Sequence, residues 1–208
     1  MGWGDIWPLH TSGPYAPLLE WFPLTAAQTF LPGEVVRIAA AGSITEAATR
    51  PAATNVVGIS ATSGDTTGAE TFRANTVYPG GTIAGAQVPA NGLPATNLGV
   101  AVWLATPHIL WATRNFTSAG AAFGDVTPTF AEIGNEAALA LIAGVWGIDI
   151  SGAAADADIC RIHRVLDVRG RDIAAPGVTL VGSIVVFSIA ISQLTAGTTT
   201  LGRVDAPA

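Results

Sequence analysis

Apolar and polar positions alternate in short runs along this chain, and turn-forming Gly, Pro, Asn and Ser clusters cut the runs at intervals of roughly ten residues. That spacing predicts strands. The stretch "LPGEVVRIAAAGSITEAAT" (31–49) reads as a hairpin. Pro32-Gly33 turn the chain, Glu34 to Ile38 run extended, Ala41-Gly42-Ser43 reverse it, and Ile44 to Ala48 return. "NVVGISA" (55–61) predicts a strand with an internal glycine, and "TFRANTVY" (71–78) another, closed by Pro79-Gly80-Gly81. Residues 81–99, rich in Gly, Pro and Asn, read as a connector. "VAVWLATPHILWAT" (100–113) repeats the hairpin design around a Thr106-Pro107-His108 turn.

Farther on, residues 131–143, "AEIGNEAALALIA", are the best helix candidate, broken by Gly134; a turn followed by a strand is the alternative. "GVWGIDI" (144–150) predicts a strand and "SGAAADAD" a polar turn. In 159–168, Cys160, Ile162, Arg164, Leu166 and Val168 fall on one side and Ile159, Arg161, His163, Val165 and Asp167 on the other. The first set is mostly apolar, which predicts a half-buried strand facing inward through Cys160. Residues 178–191, "VTLVGSIVVFSIAI", are the most apolar run. At about 14 residues the run is too short to span a bilayer as a helix. Its Val and Ile content predicts one long or two short buried strands within 178–194.

The first 24 residues differ from the rest. They carry Trp3, Trp7, Trp21, Tyr15 and Phe22 among prolines at 8, 14, 17 and 23. Proline at that density forbids a long helix or a central strand, so this segment reads as an extended arm. Its aromatic rings are costly to leave in water and must bury against the body or a neighbour. The chain therefore divides into an arm (1–27), a first β-rich unit (28–96), a second (97–194) and a Thr/Gly/Ala-rich tail (195–208). The expected fold is mainly β, with one or two small barrels or sandwiches between extended termini.

The two units show a parallel order. "GEVVRIAAAGSITEAAT" and "GVAVWLATPHILWAT" both read strand, turn, strand. "VVGISATSGDTTGAETFR" and "VWGIDISGAAADADICR" both run from a glycine-bearing strand through a polar turn to an arginine. Duplication and convergent hairpin composition both account for this.

Composition narrows the function classes. Half of the 208 residues are apolar and 12% are charged, with a mean hydropathy of +0.47. A surface so poor in charge fits one covered by other chains; a GC-rich genome gives the same bias. All nine basic residues are Arg, and the net charge is −6. No basic stripe is present to engage phosphates, so nucleic-acid binding is not expected. The N-terminus lacks the basic region and unbroken apolar run of a signal peptide.

Catalytic and metal chemistry find little support. Cys160 is the single cysteine, which excludes an intrachain disulfide and a cysteine-based zinc site. His10, His108 and His163 lie on different predicted elements. Asp149, Asp156 and Asp158 form a loose acidic group without the spacing of a calcium loop. Glu132 and Glu136, spaced i, i+4 on the candidate helix, share a face and repel, unlike a paired-acid site. There is no GxSxG elbow, and no phosphate loop is possible without Lys. No catalytic residue, metal or cofactor is expected.

One arrangement resembles a known family. Phe30, Gly33, Val35, Val36 and Ile38, then Ile44 and Ala47, then Val57, Gly58, Ile59 and Ser60, follow the pattern of the head decoration, or cement, proteins of tailed bacteriophages. The resemblance covers roughly residues 28–80 and extends in outline to 97–168. It implies a β-rich, non-enzymatic protein on the outer capsid surface of the virion. Its partners would be the major capsid protein and copies of itself, often in a homotrimer, with no nucleic acid or membrane involved. It also implies an N-terminal arm that clamps neighbouring subunits, here through Trp3, Trp7, Tyr15, Trp21 and Phe22. The length and the second unit depart from the simplest members, which leaves the symmetry open. The alternative is a head-fibre or tail-associated protein that binds host surface glycans, with Trp103 and Trp111 as a stacking platform.

Overall fold

The computed structural model describes residues 5–11, 17–23, 28–39, 42–62, 99–152, 158–167, 169–171, 184–190, 192 and 194. They form twelve strands, two short 3₁₀ turns and, among the described residues, no α-helix. The strands make two sheets, neither closed into a barrel among those residues. In chain order they are β1 (Ile6–Thr11), β2 (Leu19–Pro23), β3 (Val35–Ile38), β4 (Ile44–Glu46), β5 (Gly58–Ser60) and β6 (Gly99–Leu104). There follow β7 (Ile109–Thr113), β8 (Phe116–Thr117), β9 (Glu136–Ile142), β10 (Val145–Asp149), β11 (Cys160–Leu166) and β12 (Ile184–Ile189). The seven-stranded sheet has the order β1-β7-β12-β11-β9-β10-β8, and the five-stranded sheet β2-β6-β5-β3-β4. The mainly β expectation holds. The expected strand at 71–78, the connector and the C-terminal tail lie outside the described residues.

The first hairpin forms as its turn residues dictate. β3 and β4 pair antiparallel, with Val36 opposite Glu46 and Ile38 opposite Ile44. The second expected hairpin does not form. β6 pairs with β2 and β5, β7 pairs with β1 and β12, and the residues between them carry the chain from one sheet to the other. The reason is burial on both faces. Val100, Ala101, Val102 and Leu104 are all buried, as are Ile109, Trp111 and Ala112. Strands of that kind sit inside a sheet with a neighbour on each side, whereas a free-standing hairpin keeps one wet face. The hairpin part of the repeat therefore has no counterpart in strand pairing among the described residues. Sheet membership also crosses the expected unit boundaries: the five-stranded sheet takes β2 from the first 27 residues and β6 from beyond residue 97.

The helix candidate resolves into its alternative. Phe130–Glu132 form a 3₁₀ turn, Gly134 takes a positive φ, and Glu136–Ile142 run as β9. β9 returns as β10 through Ala143 and Gly144, with Ile142 opposite Val145. Both turn residues have positive φ, 52° and 78°. This is the requirement of a type I′ turn, whose twist matches that of the flanking strands. In β11 the expected alternation slips. A register shift between Ile162 and Arg164 turns Arg164 outward and Val165 inward, while Cys160, Ile162 and Leu166 are buried as expected. A bulge places one extra residue against the partner strand, which breaks the strict alternation locally, and Val165 and Leu166 are both buried after it. Val168 lies outside the described residues.

One core joins the sheets. Val35, Ile59 and Ala105 from the five-stranded side pack with Trp111, Leu139, Trp146, Ile162 and Phe187 from the seven-stranded side. The opposite face of the five-stranded sheet holds a second cluster of Phe30, Val36, Ile38, Ile44, Val57, Val100, Val102 and Leu104. The internal glycine of β5 now has a reason: a Cβ on Gly58 would collide with the Trp103 carbonyl of β6. Gly147 of β10 is held in the same way against the Asn115 carbonyl.

Ala143 is the one non-glycine residue with positive φ among the described residues. A left-handed conformation costs an L-residue with a Cβ about 1–2 kcal/mol, and Asn tolerates it better than Ala. Ala143→Asn is expected to stabilise the fold by about 0.5–1 kcal/mol in urea unfolding. A loss of stability would contradict the type I′ assignment.

Candidate functional site

The described parts of the N-terminal segment, 5–11 and 17–23, are extended and lie on the body as edge strands. β1 lies at the rim of the seven-stranded sheet on β7, and β2 at the rim of the five-stranded sheet on β6. Proline explains the placement, because an edge strand can lose an outward N–H without breaking a ladder. Pro8 sits in β1 opposite Trp111, and the register shifts between Pro8 and His10. Pro23 ends β2 opposite Gly99. The strands that receive these segments, β6 and β7, are joined by residues 105–108, so both rims flank the crossover between sheets.

Of the five expected contact residues, the structure describes three. Trp7 stands on β1 opposite Ala112, and Trp21 and Phe22 stand on β2 opposite Ala101 and Val100. All three are half-buried, and Phe22 packs against the second cluster. Trp3 and Tyr15 lie outside the described residues. The large apolar side chains described as open to water on these rims are leucines: Leu9 is 44% exposed, Leu18 49% and Leu19 38%. The usable signal was position, since Leu9 follows Pro8 at the register shift and Leu18-Leu19 follow Pro17.

The other two rims are closed off differently. At β4, Gln28 Oε1 accepts hydrogen bonds from the Thr45 hydroxyl (2.9 Å) and the Glu46 N–H (3.0 Å). At the far end, β8 is two residues long. Short strands and capping side chains deny a rim to a foreign strand. Among the described residues, three of the five exposed large apolar side chains, Leu9, Leu18 and Leu19, thus lie at β1 and β2, the other two being Val126 and Phe130.

The stacking platform expected at Trp103 and Trp111 is absent. Trp111 is fully buried in the shared core, and Trp103 packs partly buried against the same cluster. They belong to different sheets, so the hairpin that would have displayed them does not exist.

Residues considered for chemistry are dispersed in structural roles. His163 Nε2 and the Ser188 hydroxyl are 2.8 Å apart across β11 and β12. Burial, with Arg161 adding, holds the His163 imidazole below its usual range. Burial pushes the Cys160 thiol up, as befits a small core residue. Glu132 lies in the 3₁₀ turn and accepts from Asn135 Nδ2 (3.1 Å), while Glu136 opens β9 opposite Arg161. The two share no helix face, which corrects the expected i, i+4 repulsion. His108 is exposed, and the His10 side chain and Asp156 lie outside the described residues. No group of three His, Cys, Asp or Glu is placed to hold a metal among those described.

Asp149 has a structural partner. Its Oδ2 pairs with Arg50 of the segment after β4, and its Oδ1 accepts the Ser151 N–H at 2.8 Å. The same segment reaches β9, where the Leu141 N–H donates to the Thr49 carbonyl at 2.8 Å. Arg50 and Asp149 thus tie the first hairpin to the far half of the seven-stranded sheet. Asp149 is 1% exposed while the Arg50 side chain keeps part of its surface in water, so removing the aspartate charge leaves the guanidinium without its buried partner.

Protein-family models, curated proteins and solved structures were compared with the chain, and none matches.

Asp149→Asn is expected to destabilise the fold by about 1–3 kcal/mol in urea unfolding, because it breaks a part-buried ion pair at its buried end. A change within about 0.5 kcal/mol would show that the pair does not tie the sheets.

Proposed function

We propose that this chain is a non-enzymatic structural protein of a tailed-phage virion, which decorates the outer capsid surface and stabilises the shell. It binds the major capsid protein and neighbouring copies of itself. The observation that supports this reading most is the pair of proline-marked rims. Leu9, Leu18 and Leu19 are exposed there, with Trp7, Trp21 and Phe22 half-buried beside them. Apolar side chains gathered at sheet rims suit a seam between protein subunits. The remaining features fit the same role. The body is β-rich with few charged side chains, and its two sheets share one core, so it resists shear. A resemblance of the 28–80 segment to capsid cement proteins points the same way. The homotrimer belongs to that resemblance.

The burial of Trp111 weighs against the glycan-binding alternative, since sugar stacking needs an open ring face.

The test uses expanded capsids of the encoding phage assembled without this protein. Full-length chain should bind them to saturation at a fixed ratio to capsid subunits. A Leu9→Ser/Leu19→Ser variant, whose changes lie on exposed positions, should keep its melting behaviour and bind at least about tenfold more weakly. Failure of the wild-type chain to bind would overturn the reading; equal binding by the variant would remove the rims from the interface.

A further inference from the structure

We propose that the β1 rim is guarded against strand addition: Pro8 and the Gly33 carbonyl together deny a second copy of the chain the backbone donors it would need, so that a partner meets this rim with side chains and not with an added strand. The inference concerns β1 by itself and stands whether or not the chain binds capsids.

The direction of each backbone group on β1 follows from two observations. The Ile6 N–H donates to the Gly33 carbonyl at 3.2 Å. Gly33 belongs to the turn that leads into β3 of the other sheet, so this N–H is directed away from β7. Ile6 lies opposite Thr113, Trp7 opposite Ala112 and Pro8 opposite Trp111, antiparallel and without a slip. In an antiparallel ladder, opposed pairs alternate between those that exchange hydrogen bonds and those that turn N–H and C=O outward. Ile6 and Thr113 are an outward pair. Trp7 and Ala112 therefore exchange bonds, and the Pro8 backbone faces outward like that of Ile6.

A strand added at a rim needs outward donors as well as acceptors. β1 supplies no such donor from residue 6 to residue 8: Gly33 takes the Ile6 N–H, and proline has none. The register shift between Pro8 and His10 then breaks the two-residue repeat that an incoming strand would follow. What the rim turns outward is the carbonyls of Ile6 and Pro8 and the exposed Leu9 side chain.

The position of the proline makes the guard. At position 7 it would remove a bond to β7. At position 8 it removes nothing from the sheet and takes from a second copy the donor that pairing requires. The guard falls on the rim that needs it. The opposite rim of the same sheet, β8, is two residues long, whereas β1 has six residues, enough to template a partner. Two copies would pair most simply β1 to β1 across a two-fold axis, since that contact uses the same rim twice.

The test is Pro8→Thr in the full chain, a change to a β-former that restores the N–H. Amide exchange is followed residue by residue by NMR, with mass from sedimentation on the same samples. In dilute solution the amide restored at position 8 should exchange as an open amide, while Ile6 stays protected at least about tenfold through Gly33. On concentration, the position 8 amide should gain about tenfold protection, and the variant's mass should exceed that of the wild-type chain at the same concentration. Protection at position 8 in dilute solution would place that amide against β7 and overturn the guard. An open amide at every concentration, with equal masses for variant and wild type, would overturn it as well, since the rim would refuse a strand without proline. An unprotected Ile6 amide in the wild-type chain would overturn it with no substitution at all.

Discussion

The structure depends on a core that neither sheet can complete alone. Trp111 of β7 and Trp146 of β10 are fully buried there, against Val35, Ile59 and Ala105 from the other sheet. Neither indole N–H finds a partner among the described residues, which is costly in a dry interior. The packing of two large rings outweighs that cost, since each ring carries a large apolar area. This core requires the chain to cross between sheets after β6, and the crossing fixes where β1 and β2 dock. The rims that carry the exposed leucines are therefore a consequence of the interior.

Some of this was legible in the sequence, where local chemistry decided the outcome. The β3–β4 hairpin formed because Pro32-Gly33 and Gly42 sit where the chain must turn. The inward face of β11 at Cys160 and Ile162 followed from alternation. What escaped was non-local. Nothing near residue 100 marks β6 and β7 as members of different sheets; the decision lies in burial on both faces, which only the assembled layers impose. The pairing of β1 with β7 spans a hundred residues of chain and leaves no local trace beyond the prolines that confine β1 to a rim. The bulge in β11 broke the expected alternation at Arg164 and Val165 for the same reason. Of the aromatic residues in the first 24 positions, Trp7, Trp21 and Phe22 are half-buried, as the cost of leaving such rings in water requires, while Leu18 and Leu19 stay outside.

The charge pattern completes the picture. The Arg50–Asp149 pair is spent inside the molecule, between the first hairpin and β10. Asp5, at the start of β1, accepts the Trp146 N–H of β10. With 12% charged residues in the whole chain, little is left to keep neighbouring surfaces apart. A protein that works packed among subunits tolerates such a surface, and one that works alone in water at high concentration does not.

The most direct measurement is the temperature at which expanded capsids, filled with DNA and lacking this protein, release their contents, taken before and after saturation with the purified chain. A stabilising shell protein raises that temperature by several degrees, in step with occupancy. Saturated binding with no change in the release temperature would contradict the stabilising role, and would leave a surface protein that decorates without strengthening.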